Sequence, residues 1–199
     1  MSNSIAHASA SKRQYRLGKR ATTKEQTRRR IVEAAVELHS TRGPARTSIA
    51  QIAEKAGVQR HTFYAHFPDE RELSLACSGL AFERDPLPDI ELWAGCSPGV
   101  ERIRRGLGEL YQWYSRNAEM IGSVLRDAEY HELTREVAEL RMRQPFERMN
   151  QLLGDGLAQA GRSLLQVALD FHCWRVLAQT GVADPAGTMA AAIVGVSES

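Results

Sequence analysis

The sequence predicts an all-α protein in two parts: a small N-terminal helix-turn-helix unit and a larger helical body. Three observations carry that prediction. Apolar residues recur at 3.6-residue spacing, and no run sustains the period-2 alternation of a half-buried strand. Residues 48–67, SIAQIAEKAGVQRHTFYAHF, read as a short helix, a tight glycine turn and a second short helix. The net charge of +2 is unevenly split: residues 1–60 hold 13 Lys/Arg against 4 Asp/Glu, a balance of +9, and residues 61–199 hold 13 against 20, a balance of −7. A basic head on an acidic body points to a polyanionic partner at one end.

Residues 1–21 are Ser/Ala-rich and then basic (Lys12, Arg13, Arg16, Lys19, Arg20), the composition of a flexible tail. Thr22 and Thr23 with Glu25 and Gln26 offer overlapping capping boxes, and Ile31, Ala34, Ala35 and Leu38 form one stripe of a helix that Gly43-Pro44 ends. Ser48-x-x-Gln51 starts the next helix, with Ile49, Ile52, Ala53 and Ala56 on one face. Gly57 sits where that helix must stop, at the left-handed position glycine adopts without a Cβ penalty. The segment from Gln59 to Ala65 is too short to be stable alone, and Phe63 and Phe67 give it an inward face. This is the pattern of a helix-turn-helix, whose second helix enters a DNA major groove. The unit should span residues 22–68, and residues 69–199 should form the body. Asp69-x-x-Glu72 opens a connecting helix over 69–84 with Leu73, Ala76 and Leu80 inward.

In the body, Asp85-Pro-Leu-Pro-Asp is a break, and Ser97-Pro98 should cap a helix lined by Ile103, Leu107, Leu110, Tyr111 and Tyr114. A short helical piece is expected near 118–127, then a segment over 131–159 interrupted or kinked at Pro145. Gly161 should separate a helix at 163–179, which Gly181 ends, and Asp184-Pro185 should cap a last one. No run of 18 uncharged apolar residues is present, so no membrane span is expected, and there is no secretory h-region. Cys77, Cys96 and Cys173 are isolated, which argues for a reducing cytoplasm and against a disulfide framework or zinc ribbon.

No catalytic constellation is visible. His131-Glu132 begins like a zinc-protease motif, but Arg135 stands where the second histidine belongs. There is no P-loop, no dinucleotide fingerprint and no nucleophile elbow, so neither an enzyme, a metal nor a cofactor is expected. The aromatic and methionine content of the body suits a small-molecule pocket, although most such residues are ordinary core. Tyr111, Tyr114, Phe146 and Phe171 are the apolar candidates; Arg126, His172 and Arg175 are the polar ones. Leu165, Leu169, Val176, Ala191 and Val194 in the last helices suit a helix–helix dimer interface, against the alternative that they pack within their own domain.

From Ile52-Ala53-x-x-Ala56-Gly57-Val58 through Thr62-Phe63-Tyr64-x-His66-Phe67 to Asp69 and Leu73, preceded by Ile31–Leu38, Gly43 and Thr47, the chain resembles the TetR family of bacterial regulators. The resemblance covers residues 24–76 and implies a ligand-binding, dimerising helical body behind the helix-turn-helix. It assigns base reading to Gln59, Arg60 and His61, and phosphate contacts to Thr47, Ser48, Thr62, Tyr64 and His66. Where the family carries lysine two residues after the Pro68 position, this chain has Glu70, with Arg71 beside it as the substitute phosphate ligand. The implied function is a dimeric regulator, a repressor released from a palindromic double-stranded operator by a small-molecule effector. An architectural DNA binder without effector, or a small-molecule carrier on the same fold, is the alternative.

Overall fold

The structure, a computed structural model, describes the backbone of residues 3–198 and the side chains of residues 22–198. The described residues form α-helices and one short 3-10 turn, as the sequence predicts. They are α1 (Asn3–Arg42), the turn Pro44–Arg46, α2 (Ile49–Lys55), α3 (Arg60–His66), α4 (Glu70–Arg84), α5 (Glu91–Ala94), α6 (Val100–Ala128), α7 (Glu132–Leu153), α8 (Gln159–Ala168), α9 (Phe171–Gln179) and α10 (Pro185–Glu198). Among the described residues, no helix is long and apolar enough to cross a membrane.

The N-terminal unit closes around Ile31, Ala35, Ile52, Phe63 and Phe67, all essentially inaccessible to solvent. Ser48 and Gln51 make the reciprocal capping box: the serine side chain accepts from the Gln51 backbone, and the glutamine side chain reaches back to the Ser48 N–H at 2.8 Å. Gly57 turns the chain at φ +64°. The seven-residue α3 is held from outside. Burial of Phe63 and Phe67, roughly 1.5–3 kcal/mol each, supplies what its own hydrogen bonds do not. Arg28 on α1 lies 4.5 Å over the Phe67 ring and 3.6 Å from Glu72, fastening α1 to both α3 and α4.

The body is organised around α6, which packs against α1, α7 and α10. Its buried stripe includes Ile103, Leu107, Leu110, Trp113 and Tyr114. Leu73 and Cys77 of α4 belong to the N-terminal core, while Phe82 at its other end packs on the body core.

Several expected boundaries move, each for a physical reason. The first helix begins at Asn3, and Thr22 and Thr23 lie inside it. Residues 3–21 contain no proline and are rich in Ala, Lys and Arg, good helix formers, so no stop signal opposes the extension. The side chains of the basic tail lie outside the described residues. α6 starts at Val100 behind Gly99 (φ +122°), not at Pro98, and runs unbroken through 118–127 because nothing there interrupts it. α7 passes through Pro145 and ends at Leu153; buried Met149 and Leu153 hold the turns beyond the proline. Gly161 lies inside α8 rather than before it. A Cβ there would run into Ser197 Oγ and the Ile193 carbonyl, so its job is to let α10 approach.

The helix expected at 163–179 is two helices, broken at Leu169-Asp170. Asp170 caps α9 by accepting from the His172 and Cys173 N–H groups at 2.7 and 3.2 Å. The carbonyls of Ala168 and Leu169, at the end of α8, accept from the hydroxyls of Tyr111 (2.9 Å) and Tyr114 (2.6 Å). The break is therefore satisfied on both sides, as a buried helix end requires.

Candidate nucleic-acid interface and ligand cavity

α3 carries the outward face. With Phe63 and Phe67 turned in, Gln59, Arg60, His61 and Tyr64 are left exposed. Tyr64 stands edge-on to Phe63 at 5.6 Å, so its ring is braced while its hydroxyl projects. Thr62 is half-buried, its hydroxyl 3.3 Å from the His61 ring. From Lys55 to Pro68 the chain carries no carboxylate, so α3 itself adds no negative charge to this face.

The residues expected around it fall in different places. Thr47 donates its hydroxyl to the Gly43 carbonyl at 2.8 Å, and Ser48 is occupied by the capping box; both shape the entry to α2. His66 is half-buried, and its Nδ1 is sealed without a partner. Burial first, then Lys24 and Arg28, push its pKa below the usual histidine value, against a smaller opposite pull from Glu25. Lys24 and Arg28 therefore stand beside the end of α3, a placement that sequence reasoning missed although their i,i+4 spacing was visible. Arg71 points away from α3 to Glu136 on α7, with Nε at 3.1 Å and Nη2 at 2.6 Å from one carboxylate oxygen. Glu70 opens α4 next to the cap Asp69, which accepts from the Glu72 N–H at 2.7 Å. Three acids suit the positive end of this helix and make it a poor phosphate site.

Asp127, at the last turn of α6, joins the two parts. Solvent does not reach it. It accepts from Tyr130 Oη (2.8 Å), Arg126 Nε (2.9 Å) and the Ala45 backbone N–H (2.9 Å). Burial alone would push its carboxyl up, but these donors and the Arg126 charge hold it below the usual range. Arg126 also donates to the Arg42 carbonyl at 2.8 Å. The pair thus grips the turn between α1 and α2. Gly43 makes the grip possible: its φ is +95°, and a Cβ there would collide with Asp127 Oδ2 and Arg126 Nη2. Arg126, expected in a ligand pocket, serves this joint instead.

A cavity of about 650 Å³ lies among α6, α7, α8 and α9. Tyr114, Ile121, Leu125, Met142, Phe146, Leu169 and Phe171 form its apolar wall, and Arg135, Asn150 and Gln166 are among its polar groups. The volume is that of a small-molecule site. Asn150 Oδ1 is buried without a partner. Of the residues expected in a pocket, Tyr114, Phe146 and Phe171 line it. Tyr111 is buried core, and His172 and Arg175 are exposed on α9, 3.2 Å from each other.

A second cavity, about 130 Å³, lies where α1 and α4 meet α6 and α7. Ile121, Leu125, Ala138 and Met142 line both, so one apolar wall separates them. Of the expected dimer residues, Leu165 and Leu169 are buried in their own core and cannot meet a partner. Val176 and Ala191 are exposed and Val194 is half-buried. Among the described residues, no three His, Cys, Asp or Glu side chains gather to hold a metal.

Residues 31–77 match the model of the family described as bacterial regulatory proteins, tetR family. Solved structures share the whole fold at low identity. A transcriptional regulator from Rhodococcus sp. Rha1 is 15% identical with a TM-score of 0.58, over 85% of this chain and 95% of that one. A TetR family transcription regulator from Marinobacter aquaeolei VT8 is 19% identical with a TM-score of 0.57, over 87% and 98%. The multidrug binding protein EbrR, complexed with imidazole, is 20% identical with a TM-score of 0.52, over 84% and 94%.

His39, on α1 beside the smaller cavity, generates a pH prediction. Burial lowers its pKa from 6.5 to about 4, with Asp127 pulling the other way. The unfolded chain therefore binds the extra proton between those values, and stability falls as pH drops from about 6.5 to 4, by up to ~3 kcal/mol. His39→Gln should flatten that part of the profile in urea titrations at pH 7, 5.5 and 4.5. Parallel profiles for the two proteins would contradict the assignment.

Proposed function

We propose that this chain, whose residues 31–77 carry the TetR-family domain, is a sequence-specific transcription regulator. It works in the cytoplasm as a homodimer, represses from a palindromic operator and is released by a small molecule. It acts by binding and performs no reaction. One observation carries the reading: Gln59, Arg60 and His61 are exposed together on a short helix whose other face is locked into the core by Phe63 and Phe67. Such a helix is rigid enough to enter a major groove. Arg60 suits bidentate bonding to guanine O6 and N7, and Gln59 suits adenine. Tyr64 and Lys24 would meet backbone phosphates, which set register rather than sequence. Thr47, Ser48 and Thr62 serve by fixing the backbone that α2 and α3 present.

One short helix reads too few bases to be selective, whereas two related by a twofold axis read a palindrome, with half-sites about 34–36 Å apart or a multiple of that. The last helices support the pairing. Val167 (53%), Val176 (59%) and Val196 (41%) are apolar side chains left exposed there, beside Ala191 and Val194. They take the role that Leu165 and Leu169, buried in the protomer, cannot.

Release needs a ligand with different affinities for two conformations. The 650 Å³ cavity supplies the site. That EbrR, a protein of this fold, is described as multidrug binding supports a small-molecule occupant. Pressure on Ile121 and Leu125 acts on α6 directly, and α6 ends in the Asp127 joint that holds the α1–α2 turn. A small rotation of α6 thereby moves the reading helix and spoils the half-site spacing.

Arg60→Ala should weaken operator binding by about 1–3 kcal/mol and relax discrimination at one base position per half-site. Fluorescence anisotropy on cognate and singly altered operators measures both; unchanged affinity and unchanged discrimination would remove Arg60 from base reading. Val176→Arg should shift the sedimentation equilibrium from dimer toward monomer. A variant that sediments as wild type would displace the interface from α9.

A further inference from the structure

The smaller cavity is not needed for the function just described, yet its wall has a definite chemistry. It is bounded by Val36, His39 and Pro44 of the N-terminal unit and by residues of α4, α6 and α7. Most of that wall is apolar, with Phe82 and Trp113 supplying aromatic faces. It contains no aspartate or glutamate. Its single formally charged residue is Arg141 on α7.

Arg141 donates Nε to Ser78 Oγ at 3.0 Å and Nη2 to the Leu75 carbonyl at 2.9 Å. Both acceptors are neutral. Among the described residues it has no carboxylate within ion-pair distance, unlike Arg71, Arg84 and Arg148, which reach across the fold to glutamates. A half-buried guanidinium beside an apolar cavity favours an anion, and with Nε and one Nη2 hydrogen donated, its Nη1–Nη2 edge is the fork left to match a carboxylate. His39 and Ser74 line the same cavity; burial keeps the His39 ring neutral, and neither side chain has a hydrogen-bond partner among the described residues. The wall therefore offers one positive fork, two neutral hydrogen-bonding groups and aromatic faces.

Size narrows the ligand further. At about 130 Å³ the space is close to the apolar cavities of about 150 Å³ that accept benzene. We propose that this cavity is a second binding site, distinct from the large one, for a single-ring aromatic carboxylate whose carboxylate pairs with Arg141 and whose ring lies against Phe82 and Trp113. Both parts of the molecule contribute wall residues, so an occupant fastens α1 to α4, α6 and α7. The site requires neither DNA nor an occupant of the larger cavity.

Calorimetry on the full chain with benzoate, and with uncharged benzamide as its isostere, tests this directly. Wild type should bind benzoate at least about tenfold more tightly than benzamide, the margin of a charge-assisted pair. Arg141→Gln should abolish that preference while benzamide binding persists. Phe146→Ala, which alters only the larger cavity, should leave benzoate binding unchanged whether or not that cavity takes an effector. Equal affinities of wild type for the two compounds, or no binding of either, would overturn the proposal without any variant. Loss of benzoate binding in Phe146→Ala would place the ligand in the larger cavity and overturn it as well.

Discussion

The carboxylate of Asp127 holds the molecule in its working arrangement. It is the point at which the helical body takes hold of the N-terminal unit, through the Ala45 N–H, with Arg126 reaching the Arg42 carbonyl alongside. A buried carboxylate is costly unless its lone pairs are met, and here Tyr130, Arg126 and the backbone meet them. The arrangement is demanding: removing any donor leaves a charge in a site that water does not reach. It also fixes the identity of Gly43, because no side chain fits between the turn and the carboxylate. A contact of this kind transmits displacement well, since neither partner can slide without losing hydrogen bonds.

Around that joint the charge asymmetry of the chain acquires a spatial meaning. The basic residues do not simply cover one end. Arg28 is spent on Phe67 and Glu72, Lys55 pairs with Glu37, and Arg71 is drawn to Glu136 in the body. What remains available near α3 is a small group, Arg60, His61 and Lys24, with Glu25 the acid nearest the end of that helix. Glu70 fits this picture. With Asp69 it satisfies the N-terminus of α4, so the helix end that could have met a phosphate is stabilised internally. In the proposed function, contact with the DNA backbone falls to α1 and Tyr64 instead.

Local patterns in the sequence were read correctly where they are self-contained. The Ser48 box, the Gly57 turn and the Phe63–Phe67 pair specify the helix-turn-helix within twenty residues, and the structure reproduces each. Boundaries failed where tertiary context decides. Gly161 resembles a helix break until α10 is seen packed against it, and Leu169-Asp170 looks like helix interior until Tyr111 and Tyr114 are seen capping the break. Among pocket residues, Tyr114, Phe146 and Phe171 were recoverable because aromatic side chains line cavities often. Arg126 lies outside the cavity because it pairs with its neighbour Asp127 and reaches a backbone carbonyl 84 positions away, and only the second partner, invisible in sequence, shows that the pair is a joint. Leu165 and Leu169 share a stripe with real surface residues, and only burial separates the two sets.

Asp127 ties the N-terminal unit to the body, and amide hydrogen exchange in the intact protein tests that tie most directly. With Asp127→Ala, exchange across residues 43–56 should accelerate at least about tenfold, while the amides of α6 over 103–121 keep their protection. Unchanged exchange across residues 43–56 would show that the two parts are held together without this carboxylate and would contradict the account.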